Sequence, residues 1–173
     1  MNDHVRRFLS GALIASATVL AASCSLWPSP KYELEIGHPG DAAADLQTLY
    51  VIVSTNDVVE EAISSNKYED LVDEKLSKKY TSFVVYGPQG DSWKEEQCVR
   101  KSKFVTHEID EDTIRVKVNH DLLDSSESKE FVLVVLALIG GELMLEKVDH
   151  AVLDDAAEQV IDLHGGVLTL RND

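Results

Sequence analysis

The chain has 173 residues, of which 44% are hydrophobic and 27% charged, with 31 acidic against 16 basic side chains and a formal net charge of −15. A surface this acidic repels phosphate backbones and anionic lipid head groups, which argues against nucleic acid as a partner and against adsorption on a membrane surface. Two cysteines do not make a disulfide framework.

Taken in order, the chain opens with Arg6-Arg7 and then an apolar run from Phe8 to Leu20. The run ends in Ala21-Ala22-Ser23, directly before Cys24. A basic start, a short apolar segment and a small-residue exit describe a secretory signal. The run is too short and too rich in Ser, Ala and Gly for a membrane-spanning helix. Residues 21–24 resemble the lipobox of bacterial lipoproteins, with Leu20 one position earlier than that pattern prefers. The resemblance implies cleavage after residue 23, a covalent fatty-acyl (palmitate-type) lipid on Cys24, and no other cofactor. It sets expected boundaries at 1–23 for the signal, 24–30 for the lipidated cysteine and tether, and 31–173 for a single domain. Pro28 and Pro30 keep the tether extended. Ser25, standing where enterobacterial lipoproteins use Asp for inner-membrane retention, implies an outer-membrane anchor facing the periplasm. The 150 residues after the signal suffice for one core without a disulfide. Cys98 is then left alone and is expected to be buried.

Within the domain, Tyr32-Glu33-Leu34-Glu35-Ile36 alternates as a half-exposed strand does. Gly37-His38-Pro39-Gly40-Asp41 reads as a loop, and Leu46 to Val53 as the second strand. Two short helices follow. Asp57 with Glu60, and Asn66 with Glu69, have the spacing of capping boxes. Phe83 to Tyr86 reads as a strand ending in a turn at Gly87-Pro88-Gln89-Gly90, and the polar residues 91–103 carry no assignment beyond Trp93 as a core contact. Phe104 to Ile109 and Thr113 to Val118 form a predicted hairpin. Phe131 to Ile139, apolar on both faces, reads as a central strand covered on both sides. Gly140-Gly141 turns it into Leu143-Met144-Leu145, and a closing hairpin turns about Gly165-Gly166. The expected fold is mainly β: an antiparallel transthyretin-like or Ig-like sandwich of about eight strands with two short inserted helices.

No arrangement of residues carries chemistry. Five histidines lie after the signal, none at helical i, i+4 spacing with another, and HExxH, CxxC and GxSxG patterns do not occur. A metal held by Cys98, His107 and His120 is conceivable, but the preferred reading has no metal, no catalytic residue and no enzymatic activity.

The order of elements resembles the type VI secretion lipoprotein family TssJ. The features that carry it are the lipobox, a strand and loop, Leu49 to Val53, the helical stretches 57–62 and 68–72, Tyr86-Gly87-Pro88-Gln89-Gly90, and the long apolar strand before a closing hairpin. The resemblance implies a structural protein that anchors the periplasmic part of the inner-membrane component TssM, with no small-molecule substrate. By position, Gly37, His38, Pro39, Gly40 and Asp41, in the loop running to Asp45, would contact that partner. The open alternative is a periplasm-facing lipoprotein that binds a small ligand or assists assembly.

Overall fold

A computed structural model describes residues 32–38, 45–55, 57–153, 159–164 and 167–172. Ten strands and five short helices succeed one another within these residues. Strand β1 (Tyr32–Gly37) is followed by β2 (Leu46–Ser54), then by helices α1 (Val58–Ser64), α2 (Tyr68–Leu71) and α3 (Glu74–Ser77). The hairpins β3 (Ser82–Gln89) with β4 (Ser92–Arg100), and β5 (Val105–Asp110) with β6 (Thr113–Val118), come next. Helix α4 (Asp121–Ser125) leads into β7 (Val132–Ile139) and β8 (Glu142–Asp149), and α5 (His150–Leu153) precedes β9 (Gln159–His164) and β10 (Val167–Asn172). One sheet has the order β10-β9-β1-β6-β5 and the other β4-β3-β2-β7-β8. The protein is a mainly β sandwich.

Alternation along the strands places the core. Leu34 and Ile36 of β1 and Ile114, Val116 and Val118 of β6 point inward, meeting Leu49, Val51, Val84, Leu133 and Val135 of the facing sheet. On the outer side of β1 and β6, Arg115 binds Glu35 (Nη2–Oε1 2.6 Å) and Glu33 (Nε–Oε1 2.8 Å), and Lys117 binds Glu108 (2.7 Å). That face is solvated. The second sheet differs, because β7 is apolar on both sides. Leu133, Val135 and Ala137 fill the interior, while Val132, Val134 and Leu136 face outward beneath the helical insert. Val59, Ala62, Leu71 and Tyr80 cover them together with Ile52 and Phe83. Lys147 of β8 reaches Glu60 of α1 (2.6 Å) and fastens the edge of this third layer.

Several local expectations change. The helical insert has three segments, not two. Asn66 does not cap a helix from the front. It takes a left-handed backbone (φ 54°) and ends α1, with Asn66 N donating to the Ile63 carbonyl and Lys67 N to the Ala62 carbonyl, the bond pair of a Schellman motif. Asp57 has helical dihedrals and makes no side-chain cap. The expected second helix breaks at Asp73, whose extended backbone and carboxylate, accepting from Lys75 N at 2.7 Å, start α3 afresh. The turn after β3 lies at Gly90-Asp91, and the strand runs through Pro88 to Gln89. Pairing with β2 ends at Tyr86, so the missing N–H of Pro88 lies beyond that ladder. The unassigned polar stretch is β4, an edge strand whose register against β3 shifts twice, near Val99 and Glu96. One pairing is parallel, β1 with β9, because the chain crosses between sheets after β8.

Candidate functional site

The ends of the sandwich differ in what they gather. At one end β1 begins with Tyr32, buried against Phe131 (ring centroids 5.1 Å) and His150 (6.3 Å). The helical insert, α4 and α5 connect strands at this end. At the other end lie the exit of β1, the entry to β2 and the tight turns at Gly90-Asp91, Glu111-Asp112 and Gly140-Gly141. This is the end that carries the predicted partner loop.

Both feet of that loop are fixed. Gly37 pairs with Thr113, and His38 N donates to the Asp112 carbonyl at 2.8 Å, so one foot rests on the β5–β6 turn. The His38 ring packs edge-on against Trp93 at 5.0 Å. Trp93 is buried, as the sequence suggested, and its Nε1 has no acceptor among the described residues. At the other foot, Gly140 N donates to the Asp45 carbonyl at 3.0 Å. The Ser92 hydroxyl donates to the Glu111 carbonyl and links two of the turns. Asp45, Asp91, Glu111, Asp112 and Glu142 are all exposed here, so this end has an acidic rim. Of the predicted contact residues, Gly37 and His38 are placed at this end. Pro39, Gly40 and Asp41 lie outside the described residues, as does Cys24 with the signal and tether.

The three residues weighed as a metal site do not assemble into one. His107 bonds through both ring nitrogens, Nε2 to Ser82 Oγ at 2.8 Å and Nδ1 to Tyr86 Oη at 3.0 Å. His120 lies beyond the end of β6, at the start of α4, with Asp121 and Asp124. These three are the one such group among the described residues, with ligand atoms within 4.8 Å of one another. They are largely solvent-facing, and the His120 Nε2–Asp121 Oδ1 approach of 3.2 Å between sequence neighbours accounts for the contact. Cys98 is half-buried against the interior core and not fully enclosed. Burial is the main reason its thiol is held above the ordinary range.

A hollow of about 210 Å³ lies among Glu61, Ala62, Ser65, Lys67, Asp70 and Leu76 in the helical insert. It falls below the roughly 300 Å³ at which small-molecule sites begin. No helix among the described residues is long and apolar enough to cross a membrane.

The Ser82–His107–Tyr86 arrangement had no signal in the sequence, since its members are 21 and 25 residues apart and belong to different sheets. The anchored feet of the loop were half legible: the glycines and proline marked a loop, but not which turns would hold it. The chain matches no family model, no curated protein and no solved structure.

Proposed function

We propose that this chain is a structural, non-enzymatic lipoprotein of the outer membrane. It is held there by lipid on Cys24, and it presents the loop end of its sandwich to the periplasmic part of a TssM-like inner-membrane protein in a type VI secretion envelope complex. The observation that carries the reading is the direction of β1. The strand starts at Tyr32, packed among Phe131 and His150, and ends at Gly37 in the acidic rim. The tether of residues 24–30 reaches at most about 25 Å, so a domain hung from it turns its loop end away from the anchoring membrane. The helical insert between the second and third strands is what the family resemblance expects of such a scaffold.

The test is binding between the purified chain and the periplasmic domain of a TssM-like protein from the same genome. Replacing residues 37–45 with a short Gly-Ser link is expected to abolish binding while the far-ultraviolet spectrum stays that of a β protein. Unchanged binding by the folded variant, or no binding by the unaltered chain, would overturn the reading.

A further inference from the structure

On the side where β4 and β5 form the open edges of the two sheets, the seam between them is closed by a short chain of hydrogen bonds. We propose that the Tyr86–His107–Ser82 chain is an acid-released latch: with His107 neutral it holds β5 against β3, and protonation of His107 frees residues 102–110 while the central strands stay folded.

The geometry fixes which atoms hold protons. Ser82 Oγ lies 3.4 Å from the Arg100 carbonyl, to which it donates. It therefore accepts from His107 Nε2–H, leaving Nδ1 as the acceptor for the Tyr86 hydroxyl. Every bond in the chain has one donor and one acceptor only while the imidazole is neutral. A second proton on Nδ1 puts N–H against O–H, and the link to Tyr86 is lost in its present form.

Among the described residues, no acidic side chain bonds the His107 ring. On β3 the ring bonds Ser82 and Tyr86, each 1% exposed. On β4, Glu95 and Cys98 act on Tyr86, whose hydroxyl is held far above its usual range first by burial and then by these two groups. The Arg100 side chain turns away to the Lys78 carbonyl (2.7 Å). On β6 the partner of His107 is Val116, while Arg115 and Lys117 are engaged on the outer face. Burial alone therefore keeps the folded pKa of His107 near 4, below its ordinary 6.5.

The sign follows from that lowering. Once released, the ring binds a proton more readily than the latched ring does, so the latch is intact above pH 6.5 and weakens as pH falls toward 4. The segment is suited to separate motion. β5 is laddered only to β6, Ile109 is already 41% exposed at the seam, and the facing β4 has an irregular register.

Hydrogen exchange on the full-length chain, corrected for intrinsic rates, tests this between pH 6.5 and 4.5. Protection of amides in 102–110 is expected to fall about 40-fold over that range, from the two titration points, with β2 and β7 unchanged. His107→Gln is expected to remove the pH dependence. Tyr86→Phe, which leaves Nδ1 without its donor, is expected to move the opening to higher pH. A seam equally protected at both pH values, loss of protection by all strands in step, or the same pH dependence in His107→Gln would each overturn the proposal.

Discussion

The Tyr80 hydroxyl donates a 2.8 Å hydrogen bond to the backbone carbonyl of Leu71, and both residues are buried. This bond joins the end of α2 to the segment entering β3, so it fixes the insert to the sheet it covers. Burial, with Asp70 and Asp73 nearby, holds the hydroxyl in its protonated, donating form. Tyr80→Phe keeps the ring against Phe83 but leaves a buried carbonyl without its donor. A loss of about 1–2 kcal/mol is expected in urea unfolding, and a change below experimental error would show that the bond does not hold the insert.

If the helical insert forms a true third layer, the two faces of β7 are equally costly to hollow out. Leu133 faces the sandwich interior and Leu136 faces the insert, and neither is exposed. Leu133→Ala and Leu136→Ala are each expected to cost about 2–5 kcal/mol. A loss confined to Leu133→Ala would mean that the insert packs loosely.

Two turns carry opposite expectations for substitution. Glu111 sits in a left-handed backbone (φ 53°) that side chains resist, whereas Gly141 (φ +87°) uses the freedom that only glycine has. Glu111→Gly is therefore expected to raise stability by about 0.5–1 kcal/mol, and Gly141→Ala to lower it by about 1 kcal/mol or more. Thermal melts of the two variants check both signs.

Lipidation at Cys24 is tested in cells with a fatty-acid probe. Wild type is expected to incorporate label and fractionate with the outer membrane, and Cys24→Ser to do neither. Equal labelling of both proteins removes the anchor, and with it the orientation argued for the loop end.

Much of the architecture was legible because alternation in a strand follows directly from which face is wet. Tyr32 to Ile36 and Ile114 to Val118 read correctly for that reason. The two-faced apolar run of β7 announced that something covers both sides. β4 was not legible: its edge position leaves most of it exposed, and the register shifts break its period. The insert misled at Asn66, read as the start of the second helix although it ends the first, since a short polar side chain suits the end of one helix as well as the start of the next. Asp73, which starts a third segment, carried no reading. The parallel pairing of β9 was invisible because it depends on where a crossover lands and not on local pattern. At the loop end the sequence marked Gly37 and His38, yet the contact with Trp93 needed the fold.

That parallel pairing also sets an order of events. The strand that opens the domain, β1, is flanked on one side by β6 and on the other by β9, more than 120 residues further along. The first sheet is therefore unfinished until β9 reaches β1. Pairing over such sequence distances is slow to form, which keeps the young polypeptide extended for longer than a domain built from local hairpins. A chain truncated before Gln159 would leave one side of β1 without a neighbour, an edge open to pairing with another molecule.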